Sequence, residues 1–177
     1  QWGSFEIQLE VDGEVLAGQI LQYGFQSRAT GFAPSAVLYD NIDLRIITAN
    51  APVEPPAQAS FVFTDNFESA DASAATVGNG WLMFVNAFSP DGGYLYGYGP
   101  FDAPNGTGNV SNIDAGEAGV DQGIQYLTVF SDYGNGDHGN GNIIDTAVFR
   151  EFVIAEGDTG TYRFSFDVKR PANGGLV

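Results

Sequence analysis

The chain has 177 residues, a formal net charge of −16 and no cysteine, which excludes disulfides and thiolate metal sites. Six basic residues against 22 acidic ones leave nothing to neutralise a run of phosphates, so nucleic acid is excluded as a partner. Hydrophobic residues make up 44% of the chain, with 14 Phe, 8 Tyr and 2 Trp, enough to bury a substantial core, yet no apolar run approaches the roughly 20 residues of a membrane helix, and membrane insertion is not expected.

Taken in order, the first element is a strand in which Phe5, Ile7, Leu9 and Val11 alternate with Glu6, Gln8, Glu10 and Asp12, ending in an Asp12-Gly13 turn. Leu21, Tyr23 and Phe25 continue the pattern after Gly18. A third strand spans about 36 to 47, Val37-Leu38-Tyr39-Asp40-Asn41-Ile42-Asp43-Leu44 at its centre. Strict period two puts Leu38, Asp40, Ile42, Leu44 and Ile46 on one inward face. An ionised Asp40 there costs several kcal/mol unless it is paired, hydrogen-bonded or bound to a metal. In so acidic a chain a hard cation such as Ca²⁺ is the more available counter-charge, and Thr64-Asp65-Asn66-Phe67-Glu68 offers further oxygen ligands. Residues 49 to 60 carry three prolines and no periodicity, and read as a stiff, extended linker.

A second β region begins at residue 61. Trp81, Met83 and Val85 point one way and Leu82, Phe84 and Phe88 the other, so this strand is apolar on both sides and is expected to lie between two layers. Pro90-Asp91-Gly92-Gly93 predicts a hairpin turn. Beyond it Tyr94, Tyr96 and Tyr98, interleaved with glycines, either pack across strands or present rings to a sugar. Further strands fit about 123 to 131, 147 to 154 and 161 to 169. In the last, Tyr162, Phe164, Phe166 and Val168 point inward and Arg163, Ser165, Asp167 and Lys169 outward. Four of the six basic residues, Arg150, Arg163, Lys169 and Arg170, lie in this third of the chain and read as a solvated strand face.

The loop from Asp132 to Asn142 alternates oxygen-bearing side chains with glycines. Asp132, Asn135 and Asp137 either converge on a Ca²⁺ or form an ordinary Gly-Asn turn. His138 is the only histidine, and no Ser or Cys motif supports a nucleophilic triad. Abundant acidic residues are no evidence for a glycosidase pair, so no catalytic residue is assigned and the chain is not expected to be an enzyme. Asn105-Gly106-Thr107 and Asn109-Val110-Ser111 match the N-glycosylation pattern but are turn residues first.

Short strands separated by Gly, Asn and Asp clusters, with no helical period, predict an all-β fold: an antiparallel β-sandwich. Tyr39-Asp40-Asn41-Ile42-x-Leu44 and Asp65-Asn66-Phe67-Glu68 resemble the closing and opening strands of carbohydrate-binding-module-type jelly rolls. In those families the opening Glu and the closing Asp share a structural Ca²⁺, and by position these are Glu68 and Asp40. Here the closing motif comes first. The resemblance therefore implies that residues 1–48 are the C-terminal part of one sandwich repeat, 49–60 a linker, and 61–177 the N-terminal part of the next. Strands from 1–48 would complete the sandwich within the chain or between chains. Without an initiator Met or signal peptide the sequence reads as a processed or excerpted piece. Two functions follow as expectations. One is an extracellular or cell-surface bacterial module that binds Ca²⁺ and a polysaccharide or surface glycan. The other is a structural subunit of a bacterial fibre in which copies of the chain exchange strands.

Overall fold

The computed structural model describes residues 1–30, 35–47, 62–69, 80–103, 111–131 and 140–172. In chain order these form β1 (Gly3–Val11), a one-turn α1 (Gly13–Leu16), β2 (Ile20–Ala29), β3 (Ser35–Ile46), β4 (Phe63–Asp65), β5 (Trp81–Phe88), β6 (Tyr94–Ala103), β7 (Ser111–Ala115), β8 (Gln125–Ser131), β9 (Ile143–Val153) and β10 (Gly160–Lys169). All pairings are antiparallel. One sheet runs β1-β10-β3-β8-β7, with β4 also paired to β3, and the other runs β2-β9-β5-β6. The two pack as a β-sandwich.

The strands before and after residues 49–60 are interleaved in both sheets. β10 lies between β1 and β3, and β2 pairs with β9 over its whole length. The sandwich is thus completed within one chain. The Asp12-Gly13 turn does not fold β1 back on β2. Asp12 caps α1, its Oδ1 accepting from the Glu14 and Val15 amides at 3.1 and 3.2 Å, and the chain crosses to the opposite sheet. Gly13 is needed there because a Cβ would fall 2.5 Å from the Glu156 carbonyl oxygen.

The core is aromatic. Phe25 of β2 stacks on Tyr39 of β3 with ring centroids 3.7 Å apart, and Tyr23 meets Phe164 of β10 edge-on at 5.1 Å. Trp81, Leu44, Val85, Val129 and Tyr162 are fully buried, each such apolar side chain contributing about 1.5–3 kcal/mol. At one corner a buried trio of hydroxyl residues ties the sheets together: Ser131 of β8 donates to the Ser27 carbonyl at 3.0 Å and to Thr146 Oγ1 at 3.2 Å.

Three expectations are corrected. Arg150 does not lie on a solvated face, because its guanidinium sits inside, 3.6 Å from the centre of the Phe63 ring and near Trp81 and Phe152. Lys169 is likewise mostly covered, 3.2 Å from the Glu117 carboxylate. Third, β5 is not sandwiched between two layers. Trp81, Met83, Val85 and Ala87 are buried, whereas Leu82, Phe84, Asn86 and Phe88 are only half-buried on the outer side.

Candidate functional sites

The first candidate lies in the middle of β3. Ser35–Tyr39 pair with β8 and Ile42–Leu44 with β4, so Asp40 and Asn41 fall in the gap between two partners. On the other side the pairing with β10 slips between Ser165 and Asp167, where Asp167 stands opposite Asp40. Asn41 takes a left-handed backbone, φ 48°, which small polar side chains tolerate best after glycine. The extra residue breaks strict alternation: Tyr39 and Ile42 both join the main core cluster, while Leu38 is buried outside it. Asp40 therefore does not share the inward face of Ile42 and Leu44.

Asp40 is fully buried, and its Oδ2 has no hydrogen-bond partner among the described residues, while Oδ1 accepts from the Asn41 amide at 2.7 Å. Burial, reinforced by the carboxylates of Glu68, Asp167 and Asp65, pushes its pKa up to about 7. Asp167 is treated differently. Burial opposes its ionisation too, yet Ser4 Oγ at 2.5 Å, Asn41 Nδ2 at 2.8 Å and Gln122 Nε2 at 2.7 Å all donate to it and hold it below the usual carboxylate range.

Glu68 Oε1 accepts from the Ile124 and Gln125 amides, each at 2.7 Å, and Gly123 preserves this contact, since a Cβ there would fall 2.5 Å from Oε1. Asp65 accepts from the Phe67 amide at 2.8 Å and from the Trp81 indole N–H at 3.0 Å. The structure thus brings Asp40, Asp65 and Glu68 into one electrostatic neighbourhood, with Asp167 as a fourth member that the sequence pattern gave no reason to include. An orphaned, fully buried carboxylate oxygen among like charges fits a hard cation. Among the described residues no three His, Cys, Asp or Glu side chains are gathered closely enough to hold a metal. An ion here would draw on Asp40 and Glu68 together with main-chain and amide oxygens. Asp132, Asn135, Asp137 and His138 lie outside the described residues, as do Asn105 and Asn109.

The second candidate is the outer face of the four-stranded sheet. The hairpin at Ser89–Gly93 forms as its sequence predicts, with the Ser89 amide donating to the Gly93 carbonyl at 2.7 Å. The three tyrosines that follow do not share one face. Tyr96 and Tyr98 pair opposite the buried Ala87 and Val85, so they point inward and pack against the core. Tyr94 is 63% exposed and meets Phe88 edge-on at 5.8 Å.

Outside, the side chains fall into rows across the strands. Gly24, Phe149 and Leu82 make one row, and Gln26, Ala147 and Phe84 the next, with Pro100 beside it; polar rows lie on both sides, Gln22 with Glu151, and Arg28 with Asp145 and Asn86. The apolar pair of rows floors a groove of about 510 Å³ to which all four strands contribute. Glycines shape it. A Cβ at Gly97 would fall 2.9 Å from the Phe84 ring, and one at Gly24 would fall 2.1 Å from the Val148 carbonyl oxygen and 2.6 Å from Phe149 Cα. Phe84 can lie flat over β6 only because no side chain stands there. The signal for this groove was present in the outward Leu82 and Phe84 of β5, but an apolar outer row reads equally as a buried layer.

No family model, curated protein or solved structure matches the chain.

Proposed function

We propose that this chain is a non-catalytic binding module of a bacterial extracellular or cell-surface protein, which holds a polysaccharide or surface glycan on the outer face of its four-stranded sheet and is stabilised by Ca²⁺ at Asp40 and Glu68. The observation that carries the reading is the apolar double row containing Phe84 and Phe149, flanked on both sides by amide and carboxylate side chains. Aromatic rings stack on the C–H faces of pyranoses while neighbouring polar groups take the hydroxyls, and a shallow, preformed site suits a rigid sheet. Ca²⁺ would supply positive charge to the Asp40 oxygen that lacks a donor among the described residues. Asp40 and Glu68 would hold it, and Asn41 and Gln122 would keep the ionised Asp167 hydrogen-bonded alongside. Affinity electrophoresis in gels containing soluble polysaccharides tests the reading. Retardation by at least one polymer is expected, and free migration in every gel contradicts it.

A second reading, a fibre subunit assembled by strand addition between copies, is favoured by one observation. β1 is an edge strand of nine residues, free of proline and bulges, with Phe5 and Ile7 each 57% exposed. Light scattering at high protein and Ca²⁺ concentration distinguishes the two: growing assemblies support the fibre, and a monodisperse monomer removes it.

A further inference from the structure

We infer that the groove on the four-stranded sheet takes an internal stretch of an uncharged polysaccharide, its chain running across the strands, an inference that rests on the glycan-binding reading above. The charge of this face selects against anionic chains. Of the six basic residues only Arg28 lies on it, and both oxygens of Asp145 already occupy Arg28, Nε to Oδ1 and Nη2 to Oδ2, each at 2.5 Å. A bidentate pair of this kind is the strong form of the contact, and the Asp145 carboxylate offsets the charge that Arg28 would otherwise offer a uronate or sulfate. Across the groove Glu151 accepts from Gln22 Nε2 at 2.6 Å and has no cation beside it among the described residues, and Asp102 stands exposed at the end of the Gly24–Phe149–Leu82 row. Together with a net charge of −16, these carboxylates repel polyuronates and sulfated chains before contact is made. The remaining polar groups, Gln22, Gln26 and Asn86, are neutral amides that both donate and accept, as the hydroxyls of an uncharged sugar do.

The direction follows from the rows. The groove runs from Gly24 and Gln26 of β2 over Phe149 and Ala147 of β9 and Phe84 of β5 to Pro100 of β6, along the hydrogen-bonding direction of the sheet, a path of about 15 Å at the usual strand spacing. The polar rows run parallel to it on either side. β2 and β6 are both sheet edges among the described residues, so a bound chain can continue past either end. A groove open in this way holds the middle of a polymer and does not require a chain terminus.

The experiment measures retardation by, and calorimetric affinity for, three classes of soluble polysaccharide: uncharged glucans, mannans and xylans; polyuronates; and the cationic amino glycan chitosan. Measurements at low and high salt are joined by a length series of oligosaccharides from whichever class binds. The inference expects an uncharged polymer to bind with little dependence on salt, affinity to rise with oligomer length, and Phe84→Ala or Phe149→Ala to weaken binding about tenfold. Because those truncations can loosen the sheet, Ala147→Trp, which fills the groove floor from an outward position, is made in parallel, and melting curves check each variant. A polyuronate or chitosan binding best, or a disaccharide binding as well as longer oligomers, overturns the inference while leaving the glycan-binding reading in place. Absence of binding to all three classes overturns both.

Discussion

Asp40 on β3 and Asp167 on β10 stand opposite each other at the point where the pairing of their strands slips, and they are provided for in opposite ways. Three side chains donate to Asp167. The buried Oδ2 of Asp40 has no donor among the described residues. Two carboxylates in one neighbourhood but unlike environments titrate apart.

The first prediction is a pH dependence of inverted sign. Asp40 has a folded pKa of about 7 against an ordinary value of 3.8, so between about pH 4 and pH 7 the folded chain keeps a proton that the unfolded chain has released. Stability conferred by that proton is lost as pH rises through this window, by at most about 4 kcal/mol. Asp167, held low, acts the other way and loses its contribution only as pH falls below the ordinary carboxylate range. Urea unfolding in chelator should show a midpoint that declines from mildly acidic to neutral pH. Asp40→Asn should abolish the decline. A midpoint rising across the window in the parent chain would contradict this account of Asp40.

Bound Ca²⁺ should remove the same penalty. At a thousandfold excess over its Kd a ligand of the folded state stabilises it by about 4 kcal/mol, so melting at neutral pH should respond to chelator in the parent chain. The response should vanish in Asp40→Ala and shrink in Glu68→Ala, whose Oε1 also holds the 123–125 turn. Unchanged chelator sensitivity in Asp40→Ala would take Asp40 out of the metal site.

Asn41 has two separable duties. Its φ of 48° favours a residue that tolerates left-handed backbone, and its Nδ2 donates to Asp167 at 2.8 Å and to the Asp121 carbonyl at 2.9 Å. Asn41→Ala loses both and should cost about 2–4 kcal/mol, whereas Asn41→Gly keeps the backbone freedom and should cost less. Equal losses in chemical denaturation would mean that backbone strain plays no part.

Glycines at the groove and away from it differ sharply in what they tolerate. At Gly24 a Cβ would lie 2.1 Å from a main-chain oxygen that cannot move without breaking the β2–β9 pairing, so Gly24→Ala should destabilise by more than about 3 kcal/mol. At Gly157 nothing lies within 4 Å and no left-handed φ is required, and the same substitution should change stability by less than about 0.5 kcal/mol. Thermal melts of the two variants side by side check this.

Elements with local causes were legible in the sequence. The alternation of β10 put Tyr162 and Phe164 inside, and Pro90 to Gly93 marked the hairpin that Ser89 and Gly93 close. What failed was whatever depended on a partner distant in the chain. Asp40 was read as inward because period two assumes an unbroken strand, and the slip at Asn41 arises where β8 hands over to β4. Arg150 looked like a surface charge until Phe63 and Phe152 were placed around it. The groove was hidden for a related reason: Phe84 is equally apolar whether a further layer or nothing at all covers it, and only the arrangement of four strands tells the two apart.

The most direct test of the central claim is to follow backbone amide resonances while an uncharged oligosaccharide from the binding class is titrated in. The account predicts shifts concentrated at Gln22–Gln26, Leu82–Asn86 and Ala147–Glu151, with Tyr96 and Tyr98 following only weakly from the inner side. Shifts centred on another surface, such as the cleft on the opposite sheet that Asp43, Arg45, Asp65 and Ser165 line, would contradict it.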